Sequence, residues 1–268
     1  MPQPKVLVLT GYGINCDDET AAAFEYAGAA PRIVHINDLI ASPLMLKDYQ
    51  IFVFPGGFSY GDDTGSGRAL ANRIKNNLFD EIKKFTERDT LMLGICNGFQ
   101  VMVNLGLLPN LSGAWREEAA LITNNTFRYQ CRWIDLIVEE DTHSVFLNGI
   151  ESLRIPVAHG EGNFYAPAGT VSVIEEKKLA ALRYAKDRFQ RADGEFPANP
   201  NGSVNDIAAI CDTTGRILGM MPHPERGMFF CQRDDWTLLR EGLRRNGKEM
   251  PVESDGMMIF KNAAAFFN

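Results

Sequence analysis

Cys96 stands in the run Leu91-Met92-Leu93-Gly94-Ile95-Cys96-Asn97-Gly98-Phe99-Gln100, with a glycine two residues away on either side. A short apolar run ending on such a cysteine has the form of a nucleophile elbow, a sharp strand-to-helix turn that pushes one side chain into a cleft. The glycines belong to the turn, because a Cβ on either flank would collide while the nucleophile is held in its strained conformation. A lone cysteine is usually a small buried hydrophobe. The flanking glycines and the following Gln100 instead make Cys96 a candidate thiolate nucleophile.

A thiol nucleophile needs a base. The segment Met221-Pro222-His223-Pro224-Glu225-Arg226 follows an apolar run, 217–221. In an extended segment residues two apart point to the same side, so His223 and Glu225 can share an edge. An imidazole would take the thiol proton, and the carboxylate would fix the ring and steady its charge. The chain order Cys, His, Glu differs from that of the α/β-hydrolases, so this is not that family with cysteine in place of serine. A third run, Pro55-Gly56-Gly57-Phe58-Ser59-Tyr60-Gly61-Asp62, leaves backbone N–H groups bare after a strand. The N–H of Gly57, with that of Asn97 just after the nucleophile, could hold an oxyanion.

Other polar features divide less cleanly. His159-Gly160-Glu161-Gly162 reads equally as a loop near a ligand or partner and as a solvated turn. His35 and His143 read as structural or exposed, and Cys16, Cys131, Cys211 and Cys231 as structural. Asn124-Asn125-Thr126 and Asn201-Gly202-Ser203 match the glycosylation pattern, which a reducing compartment makes irrelevant. Gly11-Tyr12-Gly13 lacks the third glycine of a dinucleotide fingerprint, since position 16 is Cys.

The elements that must position these residues alternate. Strands are expected over 5–10, 32–36, 51–54 and 91–93, and helices over 17–27, 69–88 and 99–105, which implies a parallel sheet covered on both faces. The second half is richer in strand candidates: 121–126, 132–138, 154–158, 171–173, 179–184, 204–211 and 217–221. Residues 188–202 read as a long polar loop, and 228–246 and 256–268 as helical. No linker divides the chain, so residues 1–268 are expected to form one domain.

The 268 residues allow an ample core, and the net charge of −7 argues against general nucleic-acid binding and against an anionic membrane surface. No apolar run reaches the length of a membrane span. The start lacks a signal-peptide pattern, and five scattered cysteines without a C-x-x-C pair imply a cytoplasmic protein with neither a disulfide framework nor a zinc site.

Together these residues resemble the class I (triad-type) glutamine amidotransferases, in the nucleophile segment 94–100 and in His223-Pro224-Glu225. The likeness narrows to the glutaminase subunits of phosphoribosylformylglycinamidine synthases. It is carried there by Pro55-Gly56-Gly57-Phe58-Ser59-Tyr60-Gly61-Asp62-Asp63, Cys131-Arg132-Trp133, Ala158-His159-Gly160-Glu161-Gly162, Asn201-Gly202-Ser203 and Met220-Met221-Pro222-His223-Pro224-Glu225-Arg226. It spans residues 6–229; the extra length lies in the loop near 188–199 and in the tail.

The resemblance implies an α/β, flavodoxin-like amidotransferase fold: a mostly parallel central sheet, helices on both faces and an additional β-rich portion in the second half. It implies that Cys96 forms a γ-glutamyl thioester with L-glutamine, that His223 and Glu225 complete a triad, and that Gly57 and Asn97 hold the oxyanion. Gln100 and Phe58 would position the substrate, and His159 and Glu161 would belong to a site or interface loop. No metal or other cofactor is expected on this chain. It carries no P-loop, so ATP and Mg²⁺ are expected on a synthetase partner, the large subunit of the complex; the sequence leaves open whether a small third subunit bridges the two. Two alternatives stand beside this reading: a free-standing cysteine hydrolase acting on γ-glutamyl compounds, and a non-catalytic docking module of the same fold.

Overall fold

The computed structural model describes residues 3–62 and 65–267; Asp63, part of the third motif, lies outside them. Strands β1 (Lys5–Thr10), β2 (Ala30–His35), β3 (Ile51–Phe54) and β4 (Leu91–Ile95) alternate with helices α1 (Asp17–Tyr26), α2 (Ile36–Ala41), α3 (Arg68–Asn77) and α4 (Phe79–Thr86). Helix α5 (Asn97–Asn104) follows β4 directly. The later elements are β5 (Ala120–Ile122), β6 (Gln130–Val138), β7 (Ser152–His159), β8 (Asn163–Tyr165), α6 (Ala168–Glu176), β9 (Ala180–Ala185), β10 (Ile207–Cys211), β11 (Ile217–Met220), α7 (Trp236–Arg245) and α8 (Gly256–Ala265).

One nine-stranded sheet runs through the molecule in the order β2-β1-β3-β4-β11-β10-β9-β6-β7. Its first five strands are parallel. Their order follows the flavodoxin-like pattern, with the chain reversing direction between β1 and β3, where such sheets open a crevice at their carboxyl ends. Right-handed crossovers that step in opposite directions place α1 on one face and α2 to α4 on the other. The remaining strands each run antiparallel to the neighbour before them and form the expected β-rich portion. A small antiparallel pair, β5 and β8, lies apart from the main sheet. Strands β3, β4, β9, β10 and β11 are buried along their whole length, as strands covered on both faces must be.

Several expectations change. The strand expected over 121–126 is only β5, the first part of that expected over 204–211 is a 3-10 turn at Val204–Asp206, and α2 forms where no helix was expected. Residues 171–173 lie in α6 and not in a strand. The β-branched Val171 and Val173 favour a pleat locally, but Val171 and Ile174, three apart, bury one helical face. The single helix expected over 69–88 is two, joined at Leu78. The expected helix over 228–246 is a short turn at Phe230–Gln232 followed by α7, which buries no residue. Residues 188–202 form a loop, as expected. No helix among the described residues is long and apolar enough to cross a membrane.

Candidate active site

The elbow is built as its sequence requires. Cys96, between β4 and α5, has φ +50° and ψ −107°, a conformation that costs energy for a residue with a Cβ and recurs at functional sites. A Cβ on Gly98 would fall on the carbonyl oxygen of Phe54, and one on Gly94 on the Met102 sulfur, so α5 can cross β3 this closely only over glycine.

Sheet register brings the second motif to the first. Strands β4 and β11 are parallel neighbours with Ile95 opposite Met220, so both chains leave the sheet side by side. The Cys96 N–H donates to Met220 O at 2.8 Å. His223 then follows within three residues and is held by its own N–H, which donates to Pro156 O of β7 at 2.8 Å. β7 lies four places beyond β11 in the sheet, so the sheet curls back over its own edge to make this contact. His223 and Glu225 do not share an extended edge. Pro224–Arg226 form a 3-10 turn, and within it His223 Nδ1 donates to Glu225 Oε1 at 2.5 Å.

Cys96, His223 and Glu225 are all buried. The Cys96 thiol donates to Ala158 O at 3.6 Å, while His223 Nε2 and Glu225 Oε2 are buried without a hydrogen-bond partner among the described residues. Cys96 and His223 nevertheless interact. Burial pulls the imidazole toward its neutral form, but the Glu225 carboxylate and then Cys96 outweigh it and hold its pKa well above the ordinary range. A buried ring whose proton affinity is raised by the Glu225 carboxylate, set beside a thiol, can take the thiol proton and later return it.

Around this centre, the loop after β3 bonds to the loop after β1. Phe58 N–H donates to Gly13 O at 2.7 Å and Cys16 N–H to Gly56 O at 3.3 Å. The N–H groups of Gly57 and Asn97 have no acceptor among the described residues. The Asn97 amide donates to Gln100 Oε1 at 3.0 Å and to Asp62 Oδ1 at 3.3 Å. Gln100 Nε2 in turn donates to Glu161 O at 2.5 Å, one helical turn past the cysteine. Phe58 is partly exposed beside the Tyr129 ring, with centroids 6.3 Å apart.

The 159–162 loop is not a solvated turn. His159 is buried, bonded to Asn124 Oδ1 at 3.2 Å and close to the Asn201 amide, and burial lowers its pKa to about 3, with the nearby His223 adding to the shift. It is therefore neutral and holds the loop rather than exchanging protons. Glu161 Oε2 accepts the Ser66 N–H at 3.1 Å, which ties the loop to the segment before α3. Asn124 and Asn201 are fully buried with their amides engaged, which excludes them as glycan carriers.

One residue at the site was not singled out by the sequence. Cys16, read from the sequence as structural, lies against the His223 ring, and Arg226 Nη2 donates to its sulfur at 3.0 Å. The clue available was position, since Cys16 follows the β1 turn at the same carboxyl edge as Cys96. Cys16 Sγ, a ring nitrogen of His223 and a Glu225 oxygen lie within 4.8 Å of one another, which is the spacing of a metal donor set. The Arg226 guanidinium on the sulfur puts a fixed positive charge where a cation would have to sit.

Comparison with known proteins matches residues 3–267 to the CobB/CobQ-like glutamine amidotransferase domain. The chain is 52% identical to phosphoribosylformylglycinamidine synthase subunit PurQ of Methanococcus maripaludis, over 99% of this chain and 98% of that protein. It is 44% identical to the PurQ subunit of Dehalococcoides mccartyi, over 98% and 97%. Among solved structures, PurLQS from Thermotoga maritima aligns with a TM-score of 0.71 at 31% identity, over 99% of this chain and 100% of that one. A glutamine amidotransferase from the same organism shares the fold, with a TM-score of 0.50 at 14% identity, over 99% and 92%. With the elbow, the sheet order and nearly every position covered, the chain belongs to the CobB/CobQ-like glutamine amidotransferase family, and within it to the PurQ subunits of phosphoribosylformylglycinamidine synthase.

Proposed function

We propose that this chain is the glutaminase subunit of a phosphoribosylformylglycinamidine synthase and that residues 1–268 work as one amidotransferase domain. One observation carries the reading: Cys96 and the His223–Glu225 pair, 127 positions apart (223 − 96) in the sequence, meet at the ends of two adjacent parallel strands.

Cys96 Sγ attacks the side-chain carboxamide carbon of L-glutamine. A C–S bond forms, the carbonyl electron pair moves to oxygen, and the N–H groups of Gly57 and Asn97 hold that oxyanion. His223 takes the thiol proton and delivers it to the amide nitrogen, the C–N bond breaks, and ammonia leaves a γ-glutamyl thioester. Water then attacks the thioester, His223 accepts its proton, and glutamate departs as the thiol is restored. Glu225 orients the ring and stabilises the imidazolium each time it forms. Gln100 and Phe58 position glutamine, and the His159–Gly162 loop supports Gln100 through the Glu161 carbonyl.

Ammonia released to neutral water would be protonated and lost as a nucleophile. It passes instead to a large synthetase subunit, where ATP and Mg²⁺ drive conversion of formylglycinamide ribonucleotide to its amidine in purine biosynthesis. A small third subunit bridges the two, in keeping with the name PurLQS of the similar Thermotoga structure. The complex works in the cytoplasm, without nucleic-acid or membrane partners.

Cys96→Ala tests the assignment. Glutamine-dependent synthesis by the complex should disappear while ammonium-dependent synthesis persists. Loss of both, or survival of glutamine hydrolysis, would overturn it. A high glutaminase rate that does not rise with the synthetase partner would favour the free-standing hydrolase.

A further inference from the structure

Two cysteines meet the His223 ring, and the mechanism above uses only one of them. We propose that Cys16 is a positioning residue that holds the Arg226 guanidinium off Glu225, so that the carboxylate keeps its charge for His223. The inference rests on the triad reading above and deepens it.

Arg226 follows Glu225 directly in the chain, and Glu225 Oε2 is buried with no partner among the described residues. A free guanidinium so placed would dock on that carboxylate, since Arg–carboxylate pairs are among the strongest hydrogen-bonded contacts. Here it does not. Arg226 Nε donates to Glu19 Oε1 of α1 at 3.2 Å, and Nη2 donates to Cys16 Sγ at 3.0 Å. Both anchors come from the segment that follows β1.

The sulfur is itself fixed. Cys16 is buried, its N–H is tied to Gly56 O, and its S–H donates to Asn15 Oδ1 at 3.3 Å, which leaves sulfur lone pairs for Arg226. Burial raises the thiol's pKa, so the group acts as a neutral acceptor and adds no charge of its own to the site. The floor under it is shared with the imidazole: a Cβ on Gly56 would stand 2.7 Å from His223 Cε1 and 3.0 Å from Cys16 Sγ.

The groups that face His223 are Glu225 and Arg226 from its own turn, Cys16 from the β1 loop, Cys96 from the elbow, neutral His159 from the end of β7 and Tyr129 from the segment before β6. Among these groups Glu225 gives the imidazolium its largest support, ahead of Cys96. If Arg226 turns onto that carboxylate, the imidazolium loses its main support and deprotonates at lower pH.

The test uses the full chain with its synthetase partner and measures glutamate release from glutamine against pH. Cys16→Ala should lower kcat about tenfold, the equivalent of one pKa unit of lost support, with KM for glutamine changed less than about twofold. The alkaline limb of the kcat profile should move to lower pH. Cys16→Ser, whose hydroxyl can still accept from Arg226, should recover most of kcat and the original limb. In an Arg226→Gln background, Cys16→Ala should cost less than about twofold, because the group it restrains is gone.

A Cys16→Ala enzyme with the original kcat and alkaline limb would overturn the inference, as would an equal loss in the Arg226→Gln background. If Cys16→Ala fails to fold, Cys16→Val replaces it in both backgrounds: it fills the space without an acceptor, and the same two outcomes decide. An inactive natural chain, or an active Cys96→Ala, would sink the triad reading instead; an active, Cys96-dependent enzyme indifferent to Cys16 sinks this inference alone.

Discussion

Replacing Glu225 by Gln removes one negative charge from a buried contact and leaves nearly the same shape. His223 Nδ1 lies 2.5 Å from Glu225 Oε1, and both side chains are sealed from water. A glutamine oxygen can still accept the Nδ1–H, so ring orientation survives and the loss is electrostatic. At an effective dielectric near 20, a charge pair about 4 Å apart is worth roughly 4 kcal/mol, which corresponds to about three orders of magnitude in rate. Glutamate release by Glu225→Gln should fall about 10³-fold in kcat, and its alkaline limb should move to lower pH because the imidazolium has lost its counter-charge. Ammonium-dependent synthesis by the complex should be unchanged, which separates lost chemistry from lost folding. A stability measurement adds a sign. The folded-state pKa of His223 is raised, so its contribution is complete below the unfolded value of about 6.5 and fades as pH rises through the folded value. The natural chain should therefore be more stable than Glu225→Gln at pH 6, with the gap narrowing toward alkaline pH. Glutamate release within tenfold of the natural chain, with the alkaline limb in place, would refute the role given to this pair.

Gly56→Ala should reduce glutamine hydrolysis by about 10² or more while sparing ammonium-dependent synthesis, since its methyl would stand 2.7 Å from His223 Cε1 and must displace the ring; the two activities, assayed side by side, decide. His159 should dominate the acid limb of stability. With its folded pKa at about 3, stability is complete above about pH 6.5 and falls by about 1.4 kcal/mol per unit as pH drops toward 3. Urea midpoints of the natural chain and His159→Gln, compared from pH 4 to 7, should fall more steeply with decreasing pH in the natural chain, the lowered carboxylates giving both chains a shared slope.

The elbow was legible because its chemistry is local. A strained cysteine between two glycines at the end of an apolar strand restricts the backbone over a few neighbouring residues, and those residues are adjacent in sequence. The strands up to β4 and helices α1 and α5 were legible for the same reason, since each run carries its own period; the short helix α2 was not read from the sequence. The errors at 171–173 and at Leu78 lie where the partner surface, not the local period, chose the element.

What the residues determined by themselves is which groups are chemically competent: a thiol on an elbow, a histidine with a carboxylate two places on, and bare N–H groups after glycines. Only the tertiary structure decided which of them meet. The pairing of Ile95 with Met220 sets Cys96 beside the His223 turn, and the curl of the sheet carries Pro156 and Ala158 of β7 back to the same edge. It also brought Cys16 and Arg226 together from opposite ends of the chain. Strand register and sheet curvature are set by packing across the whole core, and no short stretch of sequence contains that sum.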